Sequence, residues 1–560
     1  MTEAQARVPA DLRSSTMRWI ADDPSPTDRL ELQQVLADAI GGRPEAVEEV
    51  TDRMRAPLTF GTAGLRGPLR AGPAGMNLAV VRRAAAGIAA YLTKNGGIGQ
   101  KVIVGYDGRH RSAEFAADAA GVLAAAGFSV LLAPSALPTP ITAFAVRRLS
   151  AVAGLQVTAS HNPPQDNGLK VYLQAGAQLV SPMDTQIEAE IAAIGPAVSV
   201  DASGTPLPWP DSLVDDYLAA AGALAKGPAK SLRIAATAMH GVGGEPLVQA
   251  LFRAGFTDVH VVTEQAVPDP DFSTVPFPNP EEPGATDLLL ALARAVDADI
   301  AIANDPDADR CALGVKLPDG SWRMLRGDET GVLLGEHVLA GLDRVAHPDP
   351  LVATTIVSSA LLKSIAAAHG ARYDETLTGF KWIVRAGDGN GTGLVYGYEE
   401  ALGHCVDPDT VRDKDGISAA VVACDLAAGL KAEGRTLLDA LDDLARRHGL
   451  HVTDQLSIRV EDLTIISDAM ARLRANLPET LLGDGDVEVT EMQPKTDAVI
   501  LRTARARVVV RPSGTEPKLK CYLEVVAAVA ADATDLGAAR EAATADLAAL
   551  KSEIAATLGI

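Results

Sequence analysis

Thr158-Ala159-Ser160-His161-Asn162-Pro163 sets a serine beside a histidine directly after an apolar run, residues 151–157. The run reads as a buried strand, and Pro163-Pro164 forbid its continuation. A serine is thus presented at the C-terminal end of a strand, where α/β sheets place their chemistry. An ordinary turn or helix-cap serine is the plain alternative.

A second stretch, Asn304-Asp305-Pro306-Asp307-Ala308-Asp309-Arg310, follows the apolar run 300–303. Three alternating carboxylates repel one another unless a cation sits among them. Oxygen-only ligands select a hard ion such as Mg²⁺. A calcium EF-hand is disfavoured, because Arg310 and Lys316 occupy its glycine and glutamate positions. A phosphatase using Asp305 as nucleophile is the sharper rival, but Asp309 stands where its DxDxT/V pattern wants Thr or Val. A solvated acidic loop is the third reading.

Four further loops carry candidate contacts. Phe60-Gly61-Thr62-Ala63-Gly64-Leu65-Arg66-Gly67 combines glycines with one arginine, a plausible phosphate contact. Thr376-Leu377-Thr378-Gly379-Phe380-Lys381 is one candidate substrate loop, with Thr378, Gly379 and Lys381 its polar or mobile positions. The second is Glu399-Glu400 with Asp413-Lys414-Asp415-Gly416 downstream; adjacent glutamates can accept bidentately from sugar hydroxyls. Arg511-Pro512-Ser513-Gly514-Thr515 packs one guanidinium, two hydroxyls and a glycine amide into a compact anion clamp. A glycine-rich segment, 387–393, reads as a loose connection rather than a phosphate cradle. GxxxxGK, GxGxxG, GxSxG and HExxH are absent, which weakens nucleotide, dinucleotide, lipase-type and zincin readings.

These loops need a scaffold. At 560 residues and 47% apolar composition the chain supports several cores. A net charge of −22 argues against nucleic acid or another broad polyanion, though not against a small anion in a local basic pocket. Four scattered cysteines without a CxxC pair suit a reducing compartment and give no zinc site. With no leader pattern and no long apolar run, a cytoplasmic protein with no membrane partner is expected.

A strand–polar loop–helix–Gly–strand unit recurs from about residues 101, 232 and 351. It predicts three related α/β domains with mixed, mostly parallel sheets, whose loops could face one cleft. From about residue 451 short strands bracket two helices, at 467–477 and 534–558, predicting a smaller α+β domain. The expected division is a helical extension 1–56, then domains 57–228, 229–346, 347–452 and 453–560.

Taken together, TASHNP, DPDADR, YEEALGH and RPSGTEPK resemble the α-D-phosphohexomutase superfamily in order and spacing, over about residues 60–524. FGTAGLRG, TLTGFKWI and DKDG are similar to its long bacterial phosphoglucomutase/phosphomannomutase branch, which includes phosphopentomutase relatives. The resemblance implies four domains around a central cleft and a phosphate carried on Ser160. It implies one Mg²⁺ on Asp305, Asp307 and Asp309, with the phosphoserine as a further ligand. Arg310 matches an arginine near the transferring phosphate. Arg66, His161 and Lys170 match positions near the phosphoserine, His161 or Lys170 being the acid/base candidates. Glu399 matches a sugar-hydroxyl ligand. Arg511, Ser513, Gly514 and Thr515 match the loop gripping the non-reacting phosphate. Ala401 stands where many relatives have a serine, so one hydroxyl contact is missing and sugar choice stays open. The implied reaction interconverts hexose 1- and 6-phosphates, glucose first and mannose or pentose as alternatives. It runs through glucose 1,6-bisphosphate as intermediate, in a monomer or homodimer that takes sugar phosphates as its only partners.

Overall fold

The computed structural model describes residues 8–61, 64–173, 175–460, 462–513, 518–533 and 535–559. The chain forms two compact units. The first comprises Met1–Lys226, Ser231–Trp322 and Asp407–Val422; the second comprises Gly227–Lys230, Arg323–Val406 and Ala423–Ile560.

The first unit opens with three helices, α1 (Ala10–Asp22), α2 (Pro26–Ile40) and α3 (Pro44–Arg53). Ser25 caps α2 by accepting from the Asp28 amide at 3.1 Å, and Pro26 pre-sets the first helical φ. Their apolar faces form small cores, Ile20, Leu32 and Leu36 closing on Ala71. Next come β1 (Leu65–Pro68), α4 (Leu78–Lys94), β2 (Lys101–Tyr106), α5 (Ser112–Ala125), β3 (Ser129–Leu132) and α6 (Thr139–Arg148). They are followed by β4 (Ala153–Val157), β5 (Asp166–Leu173), α7 (Met183–Ala193), β6 (Leu207–Pro208) and α8 (Ser212–Gly222). The sheet runs β1-β5-β4-β2-β3-β6, with β2 parallel to β3 and β4, and β5 antiparallel to β4. Helices α4 and α5 bury Ala84, Ile88, Phe115 and Ala119 against Val102, Val104 and Leu155. A large apolar side chain buried in this way contributes about 1.5–3 kcal/mol.

A second sheet in the same unit uses β7 (Arg233–Thr237), α9 (Gly244–Arg253), β8 (Asp258–Val261), α10 (Asp287–Ala295), β9 (Ile300–Ala303), β10 (Ala312–Lys316) and the edge strand β11 (Trp322–Met324). Its order is β11-β10-β9-β7-β8. The proline-rich segment 267–283 contains no helix or strand, as its composition predicts.

The second unit contains α11 (Gly327–Ala340), β12 (Leu351–Thr355), α12 (Leu361–Ala368), β13 (Arg372–Thr376), α13 (Phe380–Ile383), β14 (Leu394–Glu399) and β15 (Gly403–Cys405). Helix α14 (Gly416–Ala432), of which residues 416–422 count with the first unit, and α15 (Leu437–His448) follow. The sheet order is β13-β12-β14-β15. The last domain has β16 (Leu450–Arg459), α16 (Thr464–Ala475), β17 (Glu488–Glu491), β18 (Val499–Arg502), β19 (Ala506–Pro512), β20 (Lys518–Ala527) and α17 (Gly537–Leu558). Its sheet, β16-β20-β19-β18-β17, is antiparallel, with Val508 and Val510 packed among Leu473, Leu550 and Ile554 of the helices. Val509 points the other way, as strand alternation requires, and meets Ile356 and Val357.

The architecture is the expected one: three α/β sheets and a smaller α+β domain. β16 is the clearest departure in detail. It spans ten residues where apolar alternation predicts only 456–460. It is an edge strand bonded only to β20 and mostly half-exposed, so polar residues such as Thr453 and Gln455 are tolerated along it.

The three α/β sheets share one plan. A first strand (β2, β7, β12) has a second beside it (β3, β8, β13) and a third (β4, β9, β14) on its other flank, all parallel. A fourth (β5, β10, β15) returns antiparallel along the third. The connection from third to fourth strand therefore occupies one topological position in each domain. It holds Ser160 in the first, the three aspartates in the second and Glu400 in the third.

No described helix is long and apolar enough to cross a membrane.

Candidate active site

Strand β4 ends at Val157, and Thr158 then turns the chain by accepting the Ser160 amide on its hydroxyl at 2.8 Å. Ser160 itself takes φ +55°, the left-handed region that non-glycine residues seldom occupy. Its side chain is buried, with Oγ donating to Asp305 Oδ2 at 3.0 Å and lying 3.3 Å from His161 Nδ1. The backbone of this loop is held by Arg109, whose guanidinium donates to the carbonyls of Ser160, Asn162, Pro163 and Asp166 at 2.6–3.2 Å.

Asp305, Asp307 and Asp309 each offer one carboxylate oxygen within a group no wider than 4.8 Å, and all three are fully buried. Basic groups offset this concentration of charge. Lys170 Nζ reaches Asp307 Oδ2 at 2.7 Å and Asp309 Oδ2 at 2.6 Å, and Lys414 Nζ lies 3.1 Å from Asp309 Oδ2. Arg310 donates its amide to Asp305 Oδ1 at 3.0 Å, with its Nε 3.9 Å from Oδ2. Thr139, at the start of α6, donates both its amide and its hydroxyl to Asp307, at 2.9 and 2.6 Å. Two buried oxygens, Oδ1 of Asp307 and Oδ1 of Asp309, have no hydrogen-bond partner among the described residues. A buried acceptor of that kind is costly to leave alone, and in an all-oxygen group it fits a hard cation. The triad can therefore hold a metal ion.

The electrostatics follow. Burial pushes the Asp305 carboxyl well above its usual range, and its two neighbouring carboxylates add to this. Burial opposes ionisation of Asp309 as well, but Lys170, Lys414 and Arg310 outweigh it and hold the group below the ordinary range. Burial drives the His161 imidazole well down, with Arg310 and Arg66 adding to the effect. Burial also lowers the Arg66 guanidinium, though Asp307 counteracts it. Arg66 Nη1 donates to Asn162 Oδ1 at 3.2 Å, one residue past His161. Lys414 owes its place to its flanking acids: Asp413 accepts from Tyr172 and Gln178 at 2.8 and 2.6 Å, and Asp415 accepts from Tyr217 at 2.8 Å.

In the second unit, Gly379 has φ +110° and opens the short helix that carries Lys381; Thr378 precedes it, half-buried. Glu400 Oε2 accepts from Thr355 and Ser358 at 3.3 and 3.2 Å, and Glu399 ends β14. A Cβ on Gly327 would collide with the Glu400 backbone, so glycine lets α11 start against this turn. Arg511 lies near the end of β19, and the Ser513 amide donates to the Lys518 carbonyl at 2.8 Å. Gly514 and Thr515 lie outside the described residues. Upstream on the same strand, Arg507 donates to the carbonyls of Ile356 and Ser358 and to Glu375, tying β19 to the end of β12.

A search of known families places four consecutive models on this chain. Phosphoglucomutase/phosphomannomutase alpha/beta/alpha domains I, II and III match residues 57–197, 215–318 and 326–448, and the C-terminal domain of that family matches 457–537. The chain belongs to the phosphoglucomutase/phosphomannomutase family.

Similar members of the family carry different sugar names. A Haemophilus influenzae protein named "Probable phosphomannomutase" is 43% identical over 80% of this chain and 93% of its own length. Mouse phosphopentomutase is 33% identical over 92% of this chain and 91% of its own length. A Staphylococcus epidermidis phosphoglucomutase is 33% identical over 85% of this chain and 92% of its own. The fold agrees with the crystal structure of a phosphoglucomutase/phosphomannomutase family protein from Burkholderia thailandensis. That structure is 21% identical, covers 88% of this chain and 97% of its own, and gives a TM-score of 0.66.

Within this phosphoglucomutase/phosphomannomutase chain, Ser160, His161, Lys170, Arg66, Arg310, Lys414 and the three aspartates come together in the first unit. Sequence reasoning passed over Arg109 and Thr139. Arg109 lies in a loop legible only as polar, although its place at the end of β2 was a usable signal. Thr139 sits 168 residues from its partner Asp307, and nothing in the sequence links them.

Proposed function

We propose that the chain is a phosphosugar mutase that interconverts hexose 1-phosphate and 6-phosphate, glucose being the first choice of sugar. The observation that carries this reading is the Ser160 hydroxyl, buried at the end of β4 and 3.0 Å from Asp305. In the active form Ser160 holds a phosphoryl group. The ester P–O bond breaks with its electron pair left on the serine oxygen, while a sugar hydroxyl forms the new P–O bond. The hydroxyl proton passes to a base and then to the serine oxygen. The bisphosphate so formed turns over, its other phosphate returns to Ser160, and the same proton path runs backwards.

His161 suits the base by geometry, with Nδ1 3.3 Å from Ser160 Oγ, whereas the Lys170 ammonium is engaged by two carboxylates. Arg66 and Arg310 offer fixed positive charge where the phosphoryl oxygens gather theirs. Asp305, Asp307 and Asp309 would hold one Mg²⁺ together with Ser160; such an ion spreads the charge of a transferring phosphoryl group. Glu399 reads the sugar, following the family resemblance, and Thr378, Gly379, Lys381 and Glu400 join it, with Lys414 as a further contact. Arg511, Ser513, Gly514 and Thr515 grip the non-reacting phosphate. Burial of Ser160 keeps water from the ester, so that transfer outruns hydrolysis.

Ser160→Ala is expected to abolish turnover of glucose 1-phosphate in a coupled assay without altering the circular dichroism spectrum. Wild-type enzyme given radiolabelled glucose 1,6-bisphosphate should yield acid-stable phosphoserine in the peptide containing Ser160. An acyl phosphate at Asp305 would instead identify a phosphatase. Glucose 1-phosphate should give a higher kcat/KM than mannose or ribose 1-phosphate; the reverse order reassigns the sugar and leaves the mechanism standing.

A further inference from the structure

The turn Asp107-Gly108-Arg109-His110-Arg111, between β2 and α5, is gripped from two sides. On one side Arg109 spends its donors on four carbonyls of the serine loop: Ser160 at 2.6 Å, Asn162 at 2.7 Å, Pro163 at 2.8 Å and Asp166 at 3.2 Å. An arginine used in this way fixes a backbone path. Asp107, 3.3 Å from the Arg109 Nε, compensates its buried charge and is itself held by the Ser112 hydroxyl at 2.6 Å.

On the other side stand the N-terminal helices. Arg111 donates from Nη1 and Nη2 to Asp28 Oδ1 and Oδ2, at 2.7 and 3.0 Å, a bidentate fork. Asp28 is buried in the first turn of α2, where Ser25 caps its amide. The Arg111 backbone has φ +64°, which costs a residue with a Cβ about 1–2 kcal/mol. Such a conformation persists where its surroundings over-determine it. Here Asp28 does so together with Glu114, 2.8 Å away, and the Phe115 ring, 4.8 Å beneath the guanidinium.

The family's domain I model begins only at residue 57, after these helices. We propose that the N-terminal helical segment is a positioning element for Ser160: Asp28 holds Arg111, the turn holds Arg109, and Arg109 holds the loop that presents the hydroxyl. The inference rests on Ser160 being the phosphoryl carrier. Asp28 touches no reacting group, so its effect is on alignment. A misplacement of about 1 Å can cost up to roughly 10²-fold in rate.

The test compares Asp28→Asn with wild type in steady-state kinetics and in amide hydrogen exchange read by mass spectrometry. The variant should lose about tenfold in kcat with KM for glucose 1-phosphate changed less than twofold. Exchange should quicken in peptides covering 158–168, while peptides covering 233–261 stay at the wild-type rate. If Asp28→Asn does not fold, Arg111→Lys keeps the charge, removes the fork and should give the same pattern. Unchanged kcat and unchanged exchange over 158–168 would overturn the proposal, even with a lowered unfolding midpoint, since that marks mere packing. If wild-type enzyme given glucose 1,6-bisphosphate takes up no phosphate on Ser160, the mutase reading fails by itself, and the exchange comparison still decides whether the brace operates.

Discussion

Lys170 and the aspartate triad define the problem at the scale of single residues. Like charges at about 4 Å repel by roughly 4 kcal/mol at an effective dielectric near 20. Lys170 relieves two of the three carboxylates at once, at 2.7 and 2.6 Å. Removing one partner of a buried pair typically costs about 3–5 kcal/mol, because the other charge is left uncompensated. Lys170→Met should therefore lower the unfolding midpoint in EDTA. A divalent cation supplies the charge that the lysine no longer does. Added Mg²⁺ should thus raise the midpoint of Lys170→Met more than that of wild type in differential scanning fluorimetry. No shift in either protein would mean that the triad does not take the ion, and equal shifts that Lys170 is not its charge substitute. The Asp spacing alone raised the question of a cation; Lys170 and Lys414 as the groups that offset the charge were not legible, lying 137 and 105 positions from their carboxylate partners at 307 and 309.

At the scale of elements, the site depends on turns that approach one another more closely than side chains allow. Gly241, in the turn after β7, packs against the backbone of Pro306 in the aspartate loop, and a Cβ there would collide with it. The next residue, Val242, donates its amide to the Pro306 carbonyl at 2.8 Å. Gly241→Ala must push Pro306 aside, and the flanking Asp305 and Asp307 with it. The expected result is at least a tenfold weaker requirement-matched response to Mg²⁺ in an activation titration, with residual activity recovered at high Mg²⁺. An unchanged titration would show that the loop absorbs the extra methyl. The strands beneath were legible because apolar runs ending in polar, glycine-bearing loops obey local rules. The equivalence of the three strand-to-strand connections was not, since it depends on which strand lies beside which.

At the scale of the whole molecule, both units bury carboxyls that resist ionisation. Burial pushes Asp23 and Asp415 in the first unit and Asp328 in the second up to about 6. Asp328 accepts from the Ser359 amide at 2.7 Å and from Tyr398 at 3.0 Å. Its ordinary value is near 4, so between about pH 4 and 6 the folded chain keeps a proton there that the unfolded chain has released. Stability from this site is then greatest below pH 4, falls as the pH rises through 6 and is level above. Asp328→Asn cannot ionise and escapes that loss, which is about 3 kcal/mol for a shift of two units. Its unfolding midpoint relative to wild type should therefore rise between pH 4.5 and pH 7. A difference that stays constant across that range would place the carboxyl near its ordinary value.

The sequence by itself determined the local physics: apolar runs that had to become buried strands, glycines and prolines that had to break them, and alternating aspartates that had to find positive charge. It also determined the family, because several short motifs recur in one order. The family resemblance already set Ser160 and Lys170 near the aspartates; tertiary structure alone decided the contacts, Ser160 Oγ on Asp305, Thr139 and Lys170 on Asp307, and Asp28 on Arg111. Those partners lie 83 to 168 residues apart, on different sheets or on a helix beside a sheet, and the packing of one layer against another within the first unit, which no local pattern encodes, brings them together.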